Sequence, residues 1–397
     1  MTLAPELAVA IDRAVDACEP ELLALARKIH GHPELRFEEH LASEWLSAFV
    51  ASRGHEVERG IAGMPTAFRA RAGKAPGPQI AILAEYDALP GVGHACGHNL
   101  IAAGAAGAFV AAATVVAGSG QPGGEVVLLG TPAEEGGGGK IRMIKQGVFR
   151  DVDAAMMFHP FDRDLLAHRA LASYWLSFEF TGVPAHAAIA PHAGRSALTA
   201  CLDTFRLVDG QRVHFRDGVR VHGFVTEGGQ AINIIPERAV CEFNVRAPDG
   251  GELERVRAIV ERCARAAAMA SDVGVEIGMR EGYRDMLNNL TLARRFGTHL
   301  QALGRAPRES DDRVGAGSTD MGDVSHVVPA IHPWLAIVGE GVAVCHEKPF
   351  AEAAGTDGAG RTAVLAAKAL ARTAVEFLSD RELRAAVSAE WKKRRPD

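Results

Sequence analysis

Metal-binding side chains cluster at a few points of this 397-residue sequence. Cys96 and His98 flank Gly97 in the run GHACGHN (93–99), and Glu134 and Glu135 stand side by side before four glycines (136–139). His159 and His346 follow farther along. A thiolate and imidazoles suit Zn²⁺ or a neighbouring transition metal, whereas Mg²⁺ and Ca²⁺ prefer oxygen ligands. Gly97 permits a tight turn that can aim Cys96 and His98 at one ion. Alone, this pair reads equally as a small buried thiol and a helix cap; together with the other clusters it points to a metal. Adjacent carboxylates point different ways, so one of Glu134 and Glu135 can bind metal while the other serves the water. Water on Zn²⁺ has a pKa of roughly 7. A carboxylate beside it can take its proton and hand it to a leaving nitrogen.

These residues need elements that bring them together. Apolar runs at 80–84, 125–129 and 154–158 read as buried strands, ending respectively at Glu85 and Asp87, at Glu134–Glu135, and at His159. Helical patterns lie between them, over 100–118 and about 140–146, and residues 5–53 carry helical periodicity. Strand and helix alternating at this spacing predict a parallel sheet with helices on both faces. In such a sheet, ligands bind outside the carboxyl ends of the strands, which is where Cys, His, Glu and His would converge.

The middle of the chain differs. Strands at 174–180, 219–225, 240–245 and 275–279, with helices at 195–208 and 253–269, follow the βαββαβ order of a ferredoxin-like α+β domain. The expectation is a catalytic domain from 1–172 and 287–397, interrupted by an inserted domain at 173–286. The last third adds a helix at 291–303, a strand at 334–338 and a helix at about 361–378.

A composition that is 48% hydrophobic and 23% charged is that of a globular chain. A net charge of -6 gives no electrostatic footprint for nucleic acid or an anionic membrane. Six scattered cysteines without a CxxC pair, and no basic start followed by an apolar run, predict a cytoplasmic protein. Residues 100–118 carry no charge over 19 positions, long enough for a membrane span, but are mostly Ala and Gly and read as a buried helix.

Taken in order, the segments HGHPELRFEEH (30–40), AEYDALPGVGHACGHNL (84–100), TPAEEGGGGK (131–140) and FHP (158–160) resemble the zinc peptidase family of aminoacylases, carboxypeptidase G and plant auxin-conjugate hydrolases. GVPAHAAIAPHAGRSAL (182–198), INIIPERAVCEFNVR (232–246), GSTDMGDVSHVVPAIHPW (317–334) and His346 extend the likeness over most of the chain. It is most like aminobenzoyl-glutamate hydrolases and dipeptidase-like members. The resemblance implies metal ligands at Cys96, His98, Glu135, His159 and His346, Glu134 as general base, and Asp87 orienting a ligand. It implies that His186 reaches a partner subunit's site to polarise the scissile carbonyl, that Asn233 and Arg246 grip the substrate's polar end, and that the inserted domain forms a homodimer. Three positions depart from the broader pattern. Asn99 follows CGH where the auxin-conjugate branch has Asp, Glu85 stands where the wider family carries a metal-binding His, and His346 sits in the longer CHEKPF. One or two divalent ions, Zn²⁺ or Mn²⁺, are expected.

Hydrolysis of the amide between an N-acyl, aminoacyl or aminobenzoyl group and an amino acid is the expected reaction. The rivals are release of ammonia from an aromatic amine on the same scaffold, a cysteine hydrolase using Cys96 with His98 or His94, and a non-catalytic binder. His94 could also replace a ligand. Ser318, Thr319 and Asp320 are expected to line the site, while His192 and His222 are expected to be structural.

Overall fold

The computed structural model describes residues 3–118 and 123–395. By contact, the chain divides into two units: Met1–Arg169 with Met286–Ala316 and Asp320–Asp397, and Ala170–Asp285 with Gly317–Thr319.

The first unit begins with helices α1 (Pro5–His30) and α2 (His40–Ala51). The break between them contains Pro33, and a residue preceding proline is pushed out of the helical region. Strands β1 (Val57–Arg59), β2 (Phe68–Lys74) and β3 (Gln79–Ala84) follow, then α3 (His98–Val116), β4 (Gly124–Gly130), α4 (Gly139–Lys145), β5 (Ala154–Met156) and β6 (His159–Phe161).

The second unit runs β7 (Ala172–Thr181), α5 (Ala197–Gln211), β8 (Arg220–Glu227), β9 (Arg238–Ala247), α6 (Gly250–Ser271) and β10 (Gly274–Glu281). Its four strands form an antiparallel sheet in the order β10-β7-β9-β8. Leu176, Phe178 and Phe180 of β7 alternate inward and pack with Cys201 of α5 and Val256 and Val260 of α6. One covered face is the usual state of an antiparallel sheet.

Back in the first unit come α7 (Leu290–Ala302), α8 (Met321–Ser325), β11 (Ala330–Ile331), β12 (Trp334–Ala336), α9 (Lys348–Ala354), α10 (Asp357–Ser379) and α11 (Arg381–Arg394). Its main sheet has the order β1-β2-β4-β3-β5-β11. Here the expectation of a parallel sheet needs correction. The β4, β3, β5 and β11 strands are parallel, but β2 runs antiparallel to β4 and β1 to β2. The β2 sequence, FRARAGK, alternates Arg69 and Arg71 with Phe68, Ala70 and Ala72, a half-buried pattern that escapes a search for continuous apolar runs. The strand expected over 154–158 is shorter than expected, and a separate strand follows it from His159. The β5 strand stays in the main sheet, and β6 leaves it to pair with β12 in a two-stranded ribbon, with His159 opposite Trp334.

Both faces of the parallel core are covered. Ile80, Ile82 and Ala84 join the main hydrophobic cluster, and Ala81 and Leu83, which point the other way, are also fully buried. Helix α3 is long and apolar enough to cross a membrane, yet nearly all of it is buried within the protein. Its small residues let α1 and α10 approach closely. A side chain at Gly104 would collide with Phe158 and the Ala363 carbonyl, and one at Gly107 with Leu22 and Ala367.

Candidate metal centre

Each polar cluster is set where a strand of the first unit ends. Beyond β3, Asp87 is buried and splits its carboxylate between two tasks. His98 Nδ1–H donates to Asp87 Oδ1 at 3.0 Å, and the Glu135 main-chain N–H donates to Oδ2 at 2.9 Å. One side chain thus ties the start of α3 to the loop after β4. Burial works to raise the Asp87 carboxyl, but the His98 hydrogen bond and charge and the Glu135 N–H outweigh it and hold it below the usual range. With Nδ1 committed, His98 presents Nε2, which is buried and has no hydrogen-bond partner. That arrangement, imidazole oriented by a carboxylate, is how proteins present histidine to metals.

Gly97 makes the turn possible for two reasons. It adopts a left-handed φ of 73°, and a β-carbon there would lie about 3.0 Å from the side chain of Pro160. The loop after β4 turns at Ala133, whose φ is 61° and whose N–H donates to Glu39 Oε1 at 2.9 Å. Glu39 is fully buried, and burial together with Asp87 pushes its carboxyl up to about 7. His159 donates from Nδ1 to the Pro160 carbonyl at 2.7 Å, leaving its other ring nitrogen available. Burial depresses His159 to about 4, so its neutral, ligating form dominates at neutral pH. His346 is held by its main-chain N–H on the Ala95 carbonyl at 2.9 Å, with Nε2 3.7 Å from Glu135 Oε2.

These residues form two groups that could each hold an ion. Cys96, His98 and His159 offer one set of ligand atoms within 4.8 Å of one another, and Cys96, Glu135 and His346 a second. Cys96 is common to both. His98, Glu134 and Glu135 form a third overlapping group, with His98 Nε2 4.0 Å from a carboxylate oxygen of each glutamate. The donor set of thiol, imidazole and carboxylate suits Zn²⁺ or a neighbouring transition metal. Buried His98 Nε2 and Glu135 Oε1 lack partners, as atoms meant for a cation would. The residues therefore fit divalent ions. Without one, a hydrogen bond with Cys345, burial and Glu135 hold the Cys96 thiol far above its usual value, and burial with Glu85 and Glu135 does the same to Glu134.

Of the other candidates, His94 is buried beside His30 and belongs to no group able to hold a metal among the described residues. His186, Asn233 and Arg246 lie in the second unit. Ala188 and Ile189 donate their N–H groups to His186 Nδ1 at 3.3 Å each, Asn233 accepts the Ala187 N–H through its carbonyl, and Arg246 on β9 donates to Asn244 Oδ1 at 2.7 Å.

Three buried residues near the centre escape sequence reasoning. They are Glu39, Lys140 and His332, whose ring lies 5.2 Å from that of His159 and whose Nδ1 faces Trp334 Nε1–H at 3.4 Å. Glu39 sits in FEEH and Lys140 closes TPAEEGGGGK, so both were within sight, but nothing local tells a buried charge from a solvated one.

Comparison with known proteins identifies the family. Residues 81–379 match the family model described as peptidase family M20/M25/M40. The chain is 37% identical over 391 residues to Xaa-Arg dipeptidase of Mus musculus, covering 95% of this chain and 90% of that protein. It is 31% identical to one of the subunits of p-aminobenzoyl-glutamate hydrolase from Escherichia coli, covering 93% and 92%. Among solved structures, a Bacillus subtilis protein described as a dinuclear metal binding peptidase of the M20 family shares the fold with a TM-score of 0.71 and 20% identity, over 91% of this chain and 99% of that one. An aminobenzoyl-glutamate utilization protein from Klebsiella pneumoniae does so with a TM-score of 0.72 and 18% identity, over 94% and 99%. The chain belongs to peptidase family M20/M25/M40 and is a metal-dependent hydrolase of carbon–nitrogen bonds.

Proposed function

We propose that this enzyme hydrolyses the amide joining an acyl, aminoacyl or aminobenzoyl group to an amino acid, with Glu134 as general base. The observation that carries the reading is the pair of ligand groups sharing Cys96, with Glu134 against them. Cys96, His98 and His159 would hold one divalent ion and Cys96, Glu135 and His346 another, Zn²⁺ or Mn²⁺ by donor type. Bound there, such ions supply Lewis acidity for the scissile carbonyl and for the attacking water.

The protein's own groups do the rest. Asp87 keeps the His98 ring turned inward and the Glu135 backbone in place. The Glu134 carboxylate takes a proton from water as its oxygen attacks the carbonyl carbon. It then returns that proton to the leaving nitrogen as the carbon–nitrogen bond breaks. From the inserted domain (173–286 against 1–172 and 287–397), His186 reaches the partner subunit's site to steady the oxyanion, and Asn233 and Arg246 hold the substrate's carboxylate end, where a guanidinium fork suits two oxygens. We read this βαββαβ unit as the ferredoxin-like dimerisation domain. Strand β8 lies at its sheet edge with Phe224 exposed, and an unpaired edge is a template for a second copy. Six free cysteines favour a cytoplasmic setting.

Dipeptides ending in Arg and aminobenzoyl-glutamate are the two substrate types suggested by the relatives' names. Glu134→Gln should lower kcat by about 10²- to 10⁴-fold or more while the metal content stays at the wild-type level. Near-normal turnover in that variant would remove Glu134 from the mechanism.

A further inference from the structure

Next to the Cys96 groups lies an acidic pole that carries a cation of the protein's own. Glu85, Glu134 and Asp320 present carboxylate oxygens within 4.8 Å of one another, close enough to hold a metal ion. Hard divalent ions take such all-oxygen sets. The Lys140 side chain enters the same cluster. Its Nζ donates to Glu85 Oε1 at 2.5 Å and to Asp320 Oδ1 at 2.6 Å, and its main-chain N–H donates to Asp320 Oδ2 at 3.1 Å. The side chains of Lys140, Glu85 and Asp320 are completely buried. Burial alone would strip a lysine of its proton, but Asp320, Glu85 and Glu134 outweigh it and hold the ammonium above the usual lysine range. The charge is therefore permanent at any working pH.

Geometry links the pole to the chemistry. Glu85 Oε2 is fully buried without a hydrogen-bond partner and lies 3.5 Å from His98 Nε2. Glu134 belongs to the pole and also to the group it forms with His98 and Glu135. A divalent ion in the pole would draw on the Glu134 carboxylate as a ligand and compete with its use as a base. A monovalent ammonium, anchored on Glu85 and Asp320, compensates charge without demanding a full shell of oxygens.

We propose that Lys140 is a resident cation that keeps divalent ions out of the Glu85–Glu134–Asp320 pole, so that removing its charge opens an additional, all-oxygen metal site. The proposal rests on the reading that the Cys96 groups take the functional ions. The test uses metal-stripped full-length protein dialysed against Mn²⁺, with bound Mn²⁺ per chain counted by mass spectrometry and folding followed by circular dichroism. Folded Lys140→Met should bind one Mn²⁺ more than the wild type, Lys140→Arg should match the wild type, and Asp320→Asn added to Lys140→Met should abolish the gain. A folded Lys140→Met chain with the wild-type count overturns the proposal, as does a gain in Lys140→Arg. Should Lys140→Met not fold, Asp320→Asn alone decides: an unchanged count supports the lysine as occupant, and loss of one Mn²⁺ overturns it. A wild type that binds no metal would instead sink the hydrolase reading, whatever Lys140→Met does.

Discussion

The Cys96 groups, of thiol, imidazole and carboxylate, and the Lys140 cluster, of carboxylates around an ammonium, are neighbours, yet they stand in opposite electrostatic conditions. In the first, His98 Nε2 and Glu135 Oε1 are buried without hydrogen-bond partners, and the Cys345 hydrogen bond, burial and Glu135 hold the Cys96 thiol above its usual value. In the second, the ammonium on Glu85 and Asp320 supplies a positive charge from within. Burying carboxylates is costly unless they are paired or bound to metal. The contrast teaches that a count of ligand-type side chains does not say where an ion binds. What decides is which of them the chain has already compensated.

The strongest way to break this comparison is Cys96→Ala. Because Cys96 belongs to both three-residue groups, both ions should be lost and activity with them, whereas His346→Ala should cost one ion only. Elemental analysis after gel filtration reads this directly, and full retention of metal by Cys96→Ala would refute the shared thiolate. Next in size is Asp87→Asn. It leaves every ligand in place but weakens the hold on His98 Nδ1, and chelator competition should show metal affinity lower by about 10- to 100-fold.

Acidity should separate the clusters further. Cys96, raised by its Cys345 hydrogen bond and by burial, must release a proton to bind metal. Affinity should therefore fall as pH falls, by up to about tenfold per pH unit for each proton displaced. The Lys140 ammonium keeps its proton throughout, so Mn²⁺ titrations of wild type at several pH values should show this slope without any new site. A flat profile would argue against the thiolate. The smallest effect is expected at Glu39. Its carboxyl titrates at about 7 in the fold against an ordinary value near 4.5, so the fold favours the protonated form. The stability this contributes is complete below the ordinary value and is lost as pH rises through about 7. Glu39→Gln should remove that slope, worth at most about 1.4 kcal/mol per pH unit. Denaturant melts from pH 4 to 8 would show no change in slope if Glu39 were already ionised.

Much of this was readable in the chain. Runs such as ILA before EYD and VVLLG before TPAEE mark buried strands because both faces of a central parallel strand are apolar. The Ala/Gly-rich helix reads as a core element because small residues are what close helix packing requires. Other parts were hidden. Strand β2 alternates Arg with Ala and so offers no continuous apolar run, while β6 at three residues and β11 at two are too short for a periodic signal. Asp320 was expected to line the site, but its partner Lys140, 180 positions away, was not foreseen.

The sequence by itself determined the element types, the strand ends at which chemistry collects, and the donor atoms available, since these depend on local pattern and residue chemistry. Only the tertiary structure decided which carboxylates met which cations. Pairing Glu85 and Asp320 with Lys140 while leaving Cys96, Glu135 and His346 to face one another is a matter of distances between segments far apart in the chain. Electrostatic energy depends on those distances and on burial, and neither is a local property of the sequence.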